Sequence, residues 1–354
     1  MGAVVDRAAR SMQLEQRLAR RYVREMVRRW RELGLLRAVQ ARRSFERRGN
    51  FEQRAEPGPT KARPQKVDAI ARWRYYRVLG TNFCIGFSDE LMERTIHPVL
   101  GHLERPWPGA DAVPINIVMD QGELQVWSGD GLLESCTTIQ RLAPVIQGIV
   151  GGLALRRYRF VVALHAGGIS LDNQAMLLVA ASGGGKTTLT AALAAAGWDY
   201  LSDDTVLLRP QTLSAVGVPY SLGIKRGGWA LLASRYPRRR SPAMHLRPDG
   251  EPIRYISPLR PRGGFAQPHA VTWILFLHRS ANGQGDLRPL SRLAGIQRLM
   301  QHCCGIPRAL TSDDVKALLR WSAGIRWFDF HMGDLDLAVD QLTKLVARQP
   351  RRPR

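Results

Sequence analysis

Apolar residues in the first 48 positions recur at helical spacing. In "YVREMVRRWRELGLL", Tyr22, Met26, Trp30 and Leu33 fall three and four residues apart among arginines and glutamates. The pattern predicts an amphipathic helix over 5–48 that packs through one face. It ends at "GNFEQRAEPGPTKARPQKV" (49–67), a polar stretch with three prolines that reads as a linker. Shorter periods follow. "RYYRVLGTNFCIGF", "VPINIVMD" and "ELQVWSGDGLLES" read as strands, while "DELMERTIHPVLGHL" and residues 138–155 read as helices.

From about 158 the pattern sharpens. "RFVVALHAGGIS" and "AMLLVAA" are predicted strands, and "GKTTLTAALAAAG" is a predicted helix closed by Gly197. "DYLSDDTVLLRP", "LSAVGVP" and "AVTWILFLHR" are further strands. Helices are expected at 289–303 and 311–321, then the strand "IRWFDFHMG". Asp334 caps a closing helix, "DLDLAVDQLTKLVAR". Strands alternating with helices predict an α/β protein. Its expected parts are a basic helical extension with linker (1–67), a small α/β domain (68–157), a larger α/β domain (158–347) and a basic tail (348–354). Inside the larger domain, "RYPRRRSPAMHLRPDGEPIRYISPLRPR" (235–262) reads as a solvated insertion or as a mobile loop that grips substrate.

Composition narrows the class. The chain has 354 residues, 45% of them apolar, which suits a globular protein of two modest domains. The net charge is +22, of which residues 1–75 carry +12 (20 Lys/Arg against 8 Asp/Glu). Most of the excess is arginine, which also fits a GC-rich genome and needs no ligand; nucleic acid is not the expected partner, and an acidic peptide or protein suits the basic front at least as well. No run is long enough to cross a bilayer, and the N-terminus lacks a signal-peptide pattern. Cys84, Cys136, Cys303 and Cys304 match no zinc or disulfide framework, so a reduced, cytoplasmic protein is expected. His97 and His102, flanking a proline, read as structural.

The chemistry concentrates in "MLLVAASGGGKTTLT". A Walker A loop asks for Gly, four residues, then Gly-Lys-Ser/Thr. Gly185, Lys186 and Thr187 supply its end, with Ala180 in place of the first glycine. Ala180 disfavours a positive φ there. A buried strand enters the loop and a helix leaves it, as phosphate binding requires. Ser182, Gly183, Gly184 and Gly185 let backbone N–H groups converge on one anion, and the helix over Lys186, Thr187 and Thr188 adds its positive end. Lys186 is expected to reach the outer phosphates of ATP, and the Thr187 hydroxyl to ligate Mg²⁺.

Two further signals lie close by. Asp203 and Asp204, in "YLSDD", follow Lys186 by 17 and 18 residues. On a neighbouring parallel strand they would stand beside the loop, where one carboxylate can hold Mg²⁺ and the other accept a proton from an attacking hydroxyl. A solvated Asp-Asp turn is the bland alternative. His165, 21 residues before Lys186, is either a packed histidine or a group that contacts phosphate and helps move a proton.

The order His165, "SGGGKTT", "LSDD" resembles the HPr kinase/phosphorylase family. The resemblance implies a P-loop kinase domain of the HPr kinase and phosphoenolpyruvate carboxykinase type, with ATP- and Mg²⁺-dependent transfer to a serine hydroxyl. It implies Asp203 as general base, Lys186 as the phosphate-binding lysine, His165 as a helper, and Thr187 with Asp204 on the metal. One departure stands out. Where that family carries a metal-holding Glu, "LGIKRGG" (222–228) has Gly223, although Lys225 and Arg226 remain to contact phosphate or substrate. This argues against a second metal and against the reverse, phosphorylase reaction. The chain more closely resembles divergent HPr-kinase-like proteins found beside peptide-modification genes. That implies a substrate serine on a protein or on a ribosomally made peptide such as a lasso-peptide precursor. Residues 22–36 also resemble the last helix of PqqD-like peptide-recognition domains. Two alternatives stay open: a non-catalytic nucleotide-binding interaction module, and a small-molecule kinase on the same scaffold.

Overall fold

The computed structural model describes residues 70, 72–109, 111–236, 243–259, 261, 264–280 and 285–348. The helix expected over 5–48, the linker and the tail beyond 348 lie outside them. The described chain is mixed α/β with seven α-helices, and it divides into two compact units.

The first unit comprises the described residues up to Arg159, together with Val218–Ala266. It begins with β1 (Arg72–Val78), β2 (Thr81–Phe87), α1 (Glu90–Leu100), β3 (Val113–Asp120), β4 (Glu123–Ser128), β5 (Gly131–Cys136) and α2 (Ile139–Arg157). The strands form one sheet in sequence order, antiparallel except for the β2–β3 pair, which α1 crosses between. Asp89 caps α1 by accepting from the Leu91 amide at 2.6 Å. The helix buries Met92, Ile96, Val99 and Leu100, one face at three- and four-residue spacing. His97 and His102 are structural here. The His97 ring shares a hydrogen bond with the Tyr76 hydroxyl (3.1 Å) and that of His102 with the Pro219 carbonyl (2.7 Å).

The second unit holds Phe160–Gly217 and the described residues from Gln267 onward. It starts with β6 (Val162–His165), β7 (Gly167–Leu171), β8 (Gln174–Val179), α3 (Lys186–Ala195), β9 (Asp199–Ser202), β10 (Thr205–Leu208) and β11 (Ala215–Gly217). The chain then returns to the first unit for β12 (Leu222–Lys225), α4 (Arg226–Leu232), β13 (Met244–Leu246) and β14 (Pro252–Ile256), an antiparallel sheet in the order β12-β14-β13. It completes the second unit with β15 (Ala270–Arg279), β16 (Asp286–Pro289), α5 (Arg292–Gln301), β17 (Cys303–Gly305), α6 (Ser312–Ala323), β18 (Arg326–Met332) and α7 (Leu335–Ala347).

Two expectations change here. The described residues of 218–266 group with the small domain rather than with the larger one. The described part of 235–262 is not simply a loop either. It supplies two paired strands, because Ile253, Tyr255 and Ile256 are apolar enough to bury amid the arginines and prolines.

The second unit has two sheets. Six strands run in the order β16-β18-β15-β8-β7-β9, and four in the order β11-β10-β6-β17. One core joins them: Leu177, Val179, Ile274 and Phe276 from the larger sheet pack with Val162, Leu164, Val206 and Leu208 from the smaller, closed off by Leu299 of α5 and Trp327 of β18. Each such side chain contributes about 1.5–3 kcal/mol by leaving water. The alternate residues of β8, Met176 and Leu178, are fully buried as well. Both faces of this strand are covered, which explains its unbroken apolar run.

β6 and β7 belong to different sheets although a single residue, Ala166, separates them. β9 and β10 likewise part at Asp203–Asp204. The chain thus crosses from sheet to sheet twice, and the crossings are neighbours: Thr205 pairs with His165, and the Ala166 amide donates to the Asp204 carbonyl at 3.0 Å.

Candidate active site at the carboxyl edge of the six-stranded sheet

The loop between β8 and α3 is shaped by its glycines. Gly183 and Gly185 sit at φ +78° and +91°, conformations that a side chain disfavours. A Cβ on Gly184 would lie 2.7 Å from the Ala180 Cβ. Ala180 itself is outside the positive-φ region, so the missing first glycine costs the backbone nothing. Ala181, Ser182 and Gly183 are exposed at the tip, and Thr187 and Thr188 are half-buried. The loop closes on itself through the Gly184 amide, which donates to the Ala181 carbonyl at 3.1 Å.

Helix α3 starts at Gly185 with no side-chain cap and no acidic residue in its first turn. Its positive end is therefore left for an outside anion. Lys186 is 7% exposed. Its ammonium donates to the carbonyls of Ala180 (2.6 Å) and Ala181 (3.4 Å), which offset the cost of burying the charge. A loop of this shape, with a buried cation behind it and an uncapped helix in front, fits a phosphate chain.

The acidic doublet arrives by a route different from the expected one. β9 is not the neighbour of β8; β7 lies between them, antiparallel to both. Two antiparallel pairings restore the direction, so β9 points the same way as β8 and delivers Asp203 and Asp204 to the same edge. Asp203 is 6% exposed and accepts from the Tyr200 hydroxyl at 3.2 Å. Burial and the adjoining carboxylate push the Tyr200 hydroxyl well above its ordinary pKa, so it stays a donor.

Asp204 is half-exposed. One oxygen stands 3.2 Å from His165 Nδ1, and the other accepts from the Thr205 hydroxyl at 3.0 Å. Partial burial raises its pKa, but His165, the Thr205 hydroxyl and the Lys186 ammonium outweigh that and hold the carboxyl below its usual range. Lys186, His165 and Asp204 thus share one electrostatic neighbourhood.

Other residues come to this edge that no sequence motif marks. His302, whose carbonyl accepts from the His165 amide at 2.8 Å, has its pKa lowered by burial and by the Lys186 and His165 charges. The Cys304 thiol is pushed up to about 12 by burial, by Cys303 and by Asp204, so it stays a thiol. Arg279, at the end of β15, reaches the Gly183 carbonyl. A Cβ on Gly185 would strike Met332 Cε, which closes the loop's flank. Tyr200 had a readable signal, three residues before Asp203 in one string; the others are far away in sequence.

Gly223 lies on β12 in the other unit. A Cβ there would meet Ile253 Cδ1 at 2.7 Å, so the position is packed against its own sheet. Among the described residues, no three His, Cys, Asp or Glu side chains group as a metal site. Magnesium, however, is commonly held by one or two carboxylates together with substrate phosphates. An ionised, half-exposed Asp204 suits that role, with Thr187 at the start of α3 as the hydroxyl ligand. Also among the described residues, no helix is long and apolar enough to cross a membrane, and all four cysteines are free. A scan against protein-family models finds no match, and a search of curated proteins finds none either.

Proposed function

We propose that the chain is an ATP-dependent serine kinase, built on a P-loop domain of the HPr kinase and phosphoenolpyruvate carboxykinase type, that acts on a protein or peptide. One observation carries the reading: a single sheet edge unites an anion-shaped loop, a buried lysine and an acidic doublet whose outer member is held ionised. ATP would supply the phosphoryl group, and Mg²⁺, held by Thr187 and Asp204, would offset the charge of its phosphates.

The chain's own residues divide the work. The loop amides and Lys186 fix the phosphates and stabilise negative charge on the transferred group, an electrostatic and positioning effect. Asp203, held by the Tyr200 hydroxyl, orients the acceptor serine and takes its proton. His165 holds Asp204 in place and keeps it charged. Burial of Asp203 beside Tyr200 limits water at the point of proton transfer.

Asp203→Asn tests the assignment. Transfer of labelled phosphate from ATP to acceptor peptides is expected to fall by about 10²–10⁴-fold, while ATP binding persists. Undiminished transfer would remove Asp203 from the role of base. Packed Gly223, standing where a metal-holding glutamate is expected, favours a second reading, a nucleotide-binding module without catalysis. Wild-type protein that binds ATP yet labels neither peptides nor small metabolites would establish that reading instead. Labelled metabolites without labelled peptides would indicate a small-molecule kinase.

A further inference from the structure

The strand order gives the loop two unlike flanks. β7 and β9 lie on one side of β8 and bring the acidic doublet; β15 lies on the other. The last residue of β15, Arg279, is exposed, and its Nη2 donates to the Gly183 carbonyl at 3.2 Å. Among the described residues this is the one hydrogen bond of a group with five donors. Nearby Arg298 differs, being tied to Asp329, which also bonds His278 Nε2 at 2.8 Å.

A guanidinium on a neutral, exposed carbonyl is weakly held. The same group on a phosphate oxygen makes a charge-assisted contact about twice as strong. Anion entering the loop would therefore draw Arg279 toward itself. Resting on the kinase reading above, we propose that Arg279 grips the diphosphate portion of the nucleotide, which lies on the β15 side, while the transferred phosphoryl group faces the acidic doublet on the β9 side. In the reaction, the bond from the terminal phosphorus to its bridging oxygen breaks, and the electron pair stays on the departing ADP. The serine oxygen bonds to that phosphorus, and its proton goes to Asp203. Negative charge grows on the β-phosphate, where Arg279 stands ready.

Calorimetric titration of the full chain with ADP and with AMP, in magnesium buffer, tests this. Arg279→Gln keeps a donor for the Gly183 carbonyl but loses the charge; Arg279→Lys keeps both. The ADP dissociation constant is expected to rise about tenfold or more in Arg279→Gln and less in Arg279→Lys, with AMP affinity unchanged in both. Arg279 is exposed, so both variants are expected to melt with the wild type. Equal losses in the two variants would overturn the proposal, leaving Arg279 as a latch on the loop. ADP binding that survives Arg279→Gln but is lost in Lys186→Ala would also overturn it, with the kinase reading intact. A wild-type chain that does not bind ADP would sink both.

Discussion

A histidine beside polar partners stands at each end of the central strands of the six-stranded sheet, His165 at the close of β6 and His269 just before β15, and the two sites are built in opposite ways. At the loop end, His165 and Asp204 are partly open to solvent, and an uncapped helix starts beside them. At the other end, the His269 ring shares a 2.9 Å hydrogen bond with the Ser170 hydroxyl, and Asp199 is near enough to act on its charge. Serine, histidine and aspartate together suggest a nucleophile. Yet Ser170 is 0% exposed and sits mid-sheet, its neighbours across the strands being Ala175 and Asp199. Its hydroxyl is sealed from solvent within the sheet. Residue types alone do not distinguish the two sites; exposure and a helix start without a side-chain cap do.

The sharpest test of that contrast is Lys186→Met. It should lower phosphoryl transfer by about 10³-fold or more and move the thermal midpoint little, because losing a buried charge with its desolvation cost offsets the hydrogen bonds lost by the Ala180 and Ala181 carbonyls. A transfer rate near wild type would make the two sites equivalent and undo the contrast. Ser170→Ala should do the reverse. Leaving the half-buried His269 nitrogen without its partner costs about 1 kcal/mol of stability, read by denaturant unfolding, with ADP affinity unchanged.

The smallest effect lies in the pH dependence. Burial lowers the His269 pKa below 6.5 against the opposing pull of Asp199. Its stabilising contribution is thus complete above pH 6.5 and is lost as pH falls toward the folded-state value. The Asp204 carboxyl is lowered from 3.8, so its contribution is complete above that pH and is lost only in stronger acid. Melting curves should therefore weaken in two steps. His269→Gln should shrink the upper step, which His245 and His302 share, and Asp204→Asn the lower, which Asp314 shares, the latter by less than about 1 kcal/mol because the carboxylate is half-exposed. A lower step unchanged in Asp204→Asn would sever Asp204 from His165.

The loop was legible in the sequence because what sets its backbone is contiguous: an apolar strand, three glycines, Lys186 and a helix. The doublet and His165 were legible as residues but not as geometry. "RFVVALHAGGIS" and "DYLSDDTVLLRP" each read as one strand, since an alternating pattern continues unchanged when a chain passes from one sheet to another. The breaks fall at Ala166 and at Asp203–Asp204, beside the residues of interest. Arg279 and His302 carry no local signature, for only the strand order brings them to the loop. The strands within 235–262 were hidden by arginine and proline, which dominate composition there but leave Ile253 and Tyr255 to bury.

The double crossing at His165 and Asp203–Asp204 has a mechanical consequence. The glycine loop belongs to β8 and α3, whereas the acidic doublet leads into β10, which pairs with β6 in the smaller sheet. A shift between the two sheets would change the distance from the loop to Asp203 and Asp204 without altering either locally. On the proposed reading, grasping a nucleotide and reacting with it would be entrusted to strands of different sheets, kept in register by the core they share.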